Sequence, residues 1–173
     1  MTNASSHDQE GDEARRAAMR AAAKRIDRVN EWLHLGGALA ADEYQRCLDA
    51  GISHVIDLRQ EHELGEANSP PPADELEEAG ISRRQVPVPN GSPPTREQLS
   101  EVAYWFESED EKGGLYVHCG GGFGRAATMA IGLLILNGTV FEEALEQVRG
   151  VRPEIILNDE QVAWLHSLIP GSR

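Results

Sequence analysis

Apolar positions along the chain fall into short clusters separated by polar, glycine-rich or proline-rich turns. Their spacing alternates between the two-residue period of strands and the longer period of helices. Trp32 to Leu35, Ile52 to Leu58, Ile81 to Val88 and Leu115 to Val117 read as strands, the second of the wholly buried parallel type. Between and after them come helix patterns: Asp42 to Ala50, closed by Gly51; Ala73 to Ala79, stopped by Gly80; and Thr95 to Glu109, with Thr95 as cap and Gln98 three residues on. Arg125 to Leu136 is helical and almost wholly apolar, and Phe141 to Arg149 and Asp159 to Ile169 complete the series. Glu61 to Pro72 reads as a loop, and Trp105 and Phe106 as core anchors. At the amino end, Asp12 to Arg28 is an alanine-rich, charged helix pattern that can dock weakly, mediate association or stand in solvent. Strands alternating with helices predict an α/β fold with a central mixed, mostly parallel sheet flanked by helices.

Composition narrows this to one compact domain. The chain has 173 residues, divided by pattern into an acidic, helical and partly disordered extension over 1–28 and a domain over 29–173. Met1 to Asp12 is polar and acidic, with an expectation of disorder; it lacks the layout of a secretion signal, which points to the cytoplasm. No apolar run is long enough to cross a bilayer. The net charge of −13 argues against nucleic acid and anionic membranes as partners. Lys24 and Lys112 are the only lysines, so local attraction of an anion falls to arginines. Arg59, Arg83, Arg84, Arg149 and Arg152 are candidates to rim a pocket, each against a plain role as a solvated surface residue. With Cys47 and Cys119 alone, a disulfide framework is excluded in favour of a reducing compartment, Cys47 reading as a buried helix residue. The six histidines show no metal-ligand spacing, and neither metal nor cofactor is expected.

The chemistry concentrates in Val117-His118-Cys119-Gly120-Gly121-Gly122-Phe123-Gly124-Arg125. A strand runs into glycines that let backbone amides approach an anion, and a helix N-terminus follows. That field stabilises the thiolate form in which cysteine is a nucleophile. The amides of Gly120 to Arg125, Phe123 among them, can cradle phosphoryl oxygens, and the planar fork of Arg125 adds charge-assisted hydrogen bonds that a lysine could not copy. If strand alternation continues, His118 points away from the loop, either fixing its carbonyls from behind or serving as a packed core histidine.

At these residues the chain resembles the cysteine-dependent protein tyrosine phosphatase superfamily, whose signature is His-Cys, five residues, Arg, with glycine three positions after the cysteine. His118, Cys119, Gly122 and Arg125 match. Gly80 to Pro94 is similar to that family's general-acid loop and Arg152-Pro153 through Gln161 to its post-signature segment, so the likeness covers roughly residues 30 to 170, closest to the compact dual-specificity members. The resemblance implies a phosphomonoesterase acting through a phosphocysteine intermediate, with Cys119 attacking and Arg125 clamping, on a phosphorylated protein or a small aryl phosphate. A rhodanese-like sulfurtransferase fits the loop less well. The uncharged residues between Cys119 and Arg125 disfavour a phosphoinositide substrate.

Two positions depart from the pattern. Asn90, after Val86-Pro87-Val88-Pro89, stands where the family commonly has an aspartate that protonates the leaving oxygen, and an amide is no acid. Another carboxylate, Asp57, Glu61 or Glu63, can supply the proton; deamidation of Asn90-Gly91 can create one; or the asparagine marks a slow phosphatase or a trap for phosphorylated partners. A plain turn residue fits equally. An unassisted phenol leaves far more readily than a serine or threonine alkoxide, so aryl phosphates are favoured. Ala126 replaces the family's hydroxyl that stabilises the departing thiolate, and Thr128, about 200° round the helix, is better placed as a core residue. Asn158 and Gln161 loosely match a water-orienting pair, against plain roles as a helix-start residue and an exposed helix residue. Both departures weaken turnover and spare phosphate recognition, so a catalytically slow phosphate-binding module is the alternative.

Overall fold

A computed structural model of the chain describes residues 4–110 and 112–169. Five strands, β1 (Ile26–Arg28), β2 (Leu33–Gly36), β3 (Ile52–Asp57), β4 (Ser82–Gln85) and β5 (Gly114–His118), form one sheet in the order β1-β2-β5-β3-β4. Of its pairings, β1–β2 is antiparallel, and β2–β5, β5–β3 and β3–β4 are parallel. The expected mixed, mostly parallel sheet is therefore the observed one. Among the described residues seven helices surround it: α1 (Ala4–Ala23), α2 (Gln45–Asp49), α3 (Ala73–Glu78), α4 (Arg96–Glu107), α5 (Arg125–Leu136), α6 (Phe141–Val151) and α7 (Asp159–Ser167).

Central β5 is buried along its whole length, and its alternation divides the core. Leu115 and Val117 face a cluster with Leu33, Leu35, Ile56 and the apolar side of α5. Tyr116 faces the other, with Leu39, Cys47, Ile52 and Val55. Cys47 is the buried helix residue expected of it, and burial pushes its thiol pKa up to about 12. Thr95 caps α4 with Gln98 at the third position, both bonds of the reciprocal box being present.

Several boundaries differ from the sequence reading. α1 starts at Ala4 and stops at Ala23, so the part of Met1 to Asp12 from Ala4 on is helical, contrary to the expected disorder; residues 1–3 lie outside the described set. Helix does not persist to Arg28, because Ile26–Arg28 is β1 and pairs with Gly36 to His34. Residues assigned to the extension thus build the edge of the sheet. A three-residue strand in a charged stretch carries almost no periodicity, which is why it was invisible. β4 is shorter than Ile81 to Val88, since Pro87 and Pro89 cannot donate to a ladder. The Glu61 to Pro72 loop contains a single 3-10 turn, Glu61–Glu63.

Candidate active site

β5 ends at His118, and its carbonyl accepts the Leu58 N–H at 2.9 Å, which fixes where the strand stops. The next six residues form a closed loop before α5 begins at Arg125. Every carbonyl from Gly120 to Gly124 is held from outside. Gly120 O accepts the Ala38 N–H at 2.8 Å, and Phe123 O accepts the Ile156 N–H at 2.8 Å. Arg152 donates from Nη2 to Gly121 O (2.7 Å) and from Nε to Gly122 O (2.8 Å). Gly124 O takes the Thr128 hydroxyl at 2.8 Å. Across a trans peptide the following N–H points opposite to the carbonyl, so these contacts turn the N–H groups of Gly121 to Arg125 inward. Gly122 N–H already lies 3.3 Å from Cys119 Sγ. The result is a ring of donors around a buried sulfur at a helix N-terminus, an anion cradle by construction.

Glycine at position 122 is a requirement. Its φ is +79°, and a Cβ there would meet the Gly36 carbonyl carbon and oxygen at 2.3 Å. The end of β2 and the loop touch backbone to backbone.

Arg125 is 4% exposed. Its Nη1 donates to Val88 O (2.9 Å) and, with Nη2, grips the Glu63 carboxylate at 2.7 and 2.6 Å. Its Nε is buried with no hydrogen-bond partner among the described residues, leaving a donor for a ligand in the cradle. Glu63 is capped a second time by the Gln60 N–H, and the Arg125 hydrogen bonds hold its carboxyl below the usual range.

The carboxylates considered as proton donors are now placed. Asp57 is fully buried; it accepts from Arg59 Nε and Nη2 at 2.9 and 2.7 Å and from Arg83 Nη2 at 2.7 Å. Burial raises its pKa, but the Arg59 hydrogen bonds and the charges beside it win and hold the carboxyl well below the usual range. Asp57 and Glu63 are thus both ion-paired with arginines. Glu61 is exposed. Asn90 sits at the exposed tip of a turn closed by Ser92 N–H to Pro89 O at 3.0 Å, with Gly91 at φ +81°. That is the turn role a plain Asn-Gly predicts.

His118 is fully buried and stacks on Tyr116 with ring centroids 5.4 Å apart. Its Nδ1 lies 3.2 Å from Cys119 O, so the ring braces the loop from behind as strand alternation implied. Burial lowers its pKa to about 4 despite Asp57 Oδ2 at 3.8 Å from Nε2, so it is a neutral brace at neutral pH. Ala126 is buried and offers no hydroxyl, while Thr128 spends its own on Gly124.

Asn158 and Gln161 form the capping box of α7, and Asn158 Nδ2 also donates to Gly91 O at 2.7 Å, tying the Asn90 turn to the segment beside the cradle. Gln161 is 2% exposed, which corrects its reading as an exposed helix residue. Among the rim arginines, Arg59 and Arg83 serve Asp57, Arg84 lies over Trp105, and Arg149 is exposed on α6. Arg152 is fully buried behind the loop, paired with Asp27 at 2.8 Å. Sequence reasoning missed its role and that of Asp27; the available signal was Arg152-Pro153 closing a helix, which says nothing about the carbonyls it reaches.

A buried cysteine and arginine bracketing a ring of amides, at the carboxyl end of the middle strand of this sheet, define the cysteine-loop phosphatase class of α/β domain. The family model for the Swiss Army Knife protein, DSP-PTPase phosphatase domain, matches residues 36–173, and the chain belongs to that family. PRL-1 phosphatase of Drosophila melanogaster is 31% identical over 106 residues, 58% of this chain and 58% of that protein's length. Tk-PTP in its active form superposes with a TM-score of 0.71 at 28% identity, covering 84% of this chain and 96% of that one. Human DUSP28 shares the fold, with a TM-score of 0.67 at 20% identity over 83% of this chain and 94% of its own. The family match begins at Gly36, so α1 and β1 precede it. No described helix is long and apolar enough to cross a membrane.

Proposed function

We propose that the protein is a cysteine-dependent phosphomonoesterase whose preferred substrates are phosphotyrosine in proteins or other aryl phosphates. The observation that supports this most directly is the outward anchoring of every carbonyl from Gly120 to Gly124, which turns the amides toward Cys119 Sγ. The Cys119 thiolate attacks phosphorus and the bond to the leaving oxygen breaks with its electron pair. The amides and Arg125 Nε carry the charge on the equatorial oxygens, strongest in the transition state. Water then displaces the thiolate from phosphocysteine, releasing inorganic phosphate. His118 holds the loop. Position 90 supplies no acid, and the nearest alternatives are locked to Arg59 and Arg125, so the leaving group must depart with little protonation. A phenolate can do so; an alkoxide does so poorly. The reducing cytoplasm suits such a thiolate, and no metal or cofactor enters any step.

A second reading, a phosphate-binding module with little turnover, draws on Asn90 and Ala126. Rapid-mix hydrolysis of p-nitrophenyl phosphate separates the two. A burst of nitrophenolate of about one equivalent, abolished in Cys119→Ser, is expected for the enzyme. Phosphate-competitive binding with no nitrophenolate released would establish the module instead.

A further inference from the structure

We propose that the cleft along the open edge of β4 docks an acidic segment of the phosphorylated protein substrate, with Arg84 and Arg83 as its anchors. The proposal rests on the phosphatase reading above and names the substrates that reading leaves open. β4 is an edge strand. Val86 and Val88 donate toward β3, to Asp57 O and Leu58 O, so the alternate residues Arg83 and Gln85 turn their main-chain groups to the unpaired side. A cleft of about 280 Å³ follows that edge, walled by Leu76 and Glu77 of α3, by Ile81, and by Trp105 of α4. An extended peptide has there both a ladder to join and a shape to fill.

Its charge decides which peptide. In a chain of net charge −13, the long-range field repels an anionic partner, and recognition must come from a local inversion of sign. The β4 sequence Ser82-Arg83-Arg84-Gln85 is such an inversion, with Glu77 the single acidic residue among those lining the cleft. Arg84 stacks its guanidinium 4.7 Å over the Trp105 ring and has no carboxylate partner among the described residues. Stacking holds the group in place and leaves its N–H edge for an acceptor. Arg83 gives one Nη to Asp57 and, with its side chain 14% exposed, also lines the cleft.

The strand also points the right way. Beyond Gln85 the chain passes through Val88, whose carbonyl takes Arg125 Nη1. At roughly 3.3 Å per extended residue, Arg84 lies about 13 Å of chain from that contact. A peptide laid along β4 with acidic residues about four positions from its phosphotyrosine reaches both Arg84 and the cradle.

The test compares two phosphotyrosine peptides, one with Asp and Glu three to five residues from the phosphate on either side and one with Asn and Gln there. Each kcat/KM is taken as a ratio to that for p-nitrophenyl phosphate. The native protein is expected to favour the acidic peptide about tenfold at low salt, less at 0.5 M. Arg84→Glu is expected to lose that preference and to gain activity on a Lys-flanked peptide. Equal ratios in the native protein, or a preference that survives Arg84→Glu, overturn the proposal. Should no peptide be hydrolysed, the phosphatase reading falls separately, and anisotropy of the labelled acidic peptide with Cys119→Ser protein decides the docking: binding weakened about tenfold by Arg84→Glu supports it, and unchanged binding overturns it.

Discussion

Arg125 and Glu63 meet in a two-pronged ion pair, Nη2 to Oε1 at 2.6 Å and Nη1 to Oε2 at 2.7 Å, with side-chain exposures of 5% and 22%. The carboxylate engages both terminal nitrogens and fixes the plane of the guanidinium, leaving Nε, beside the second N–H of Nη2, without a partner among the described residues. Glu63 is therefore a positioning residue, set 62 positions from the arginine by a single 3-10 turn.

Loss of that carboxylate frees a buried guanidinium to rotate. Glu63→Ala is expected to lower kcat/KM for an aryl phosphate by about 10²-fold, the scale of a misplacement of about 1 Å in a reacting group. Glu63→Gln, which keeps an acceptor for one nitrogen, falls between. Steady-state kinetics with phosphate as competitive inhibitor checks this: inhibition should weaken in parallel, because the same misaligned Nε meets phosphate and transition state.

Asn90→Asp tests the missing acid directly. The turn accepts aspartate without strain, since the positive φ belongs to Gly91. Turnover on alkyl phosphates is expected to rise by at least about tenfold, toward the ~10²–10⁴ typical of general acid catalysis, and less on p-nitrophenyl phosphate, whose leaving group needs no proton. The alkyl reaction should acquire a basic limb in its pH profile as the introduced carboxyl loses its proton. Equal effects on both substrates would mean that position 90 acts on binding instead.

What could be read from the chain alone follows the strength of local signals. The α5 limits, the α4 capping box and the Cys119 loop each rest on adjacent residues, and all three stand in the structure. Links between distant segments left no such trace. Arg152 seemed one surface arginine among five, yet it is fully buried and holds two loop carbonyls. The pairings of Glu63 with Arg125 and of Asp57 with Arg59 and Arg83 are likewise unreadable, because proximity says nothing of which arginine each carboxylate will meet. β1 escaped because three residues cannot display a period.

Arg152 joins the loop to β1 through Asp27, with Nη1 2.8 Å from Oδ2 and exposures of 0% and 12%. Arg152→Met removes two loop-carbonyl donors and leaves Asp27 with Arg25 as its remaining partner. Breaking a buried pair typically costs about 3–5 kcal/mol when the other charge is left uncompensated; Asp27 keeps Arg25, so urea denaturation should show a loss toward the lower end of that range. Asp27→Asn keeps an acceptor for Arg152 and should cost less. If both variants lose equally, the ion pair matters more than the loop contacts.

His118 sets a pH window for stability. Its folded pKa is lowered to about 4 from an ordinary 6.5, chiefly by burial. Between those values the unfolded chain binds the proton and the folded one does not. The stability that His118 confers is thus complete above about 6.5 and drains away as pH falls toward 4. The loss is on the order of 3 kcal/mol at 1.36 kcal/mol per pH unit. His34 and His54, also lowered by burial, act in the same direction as pH falls below about 6.5. Asp57, held well below its ordinary value, contributes only at more acid pH. Urea denaturation from pH 7.5 to 4.5 for native protein and His118→Gln isolates the one histidine. The variant should start less stable, having lost the ring that braces Cys119 O, and fall less steeply. Parallel slopes would mean that other groups, His34 and His54 among them, carry the acid response and that His118 titrates alike in both states.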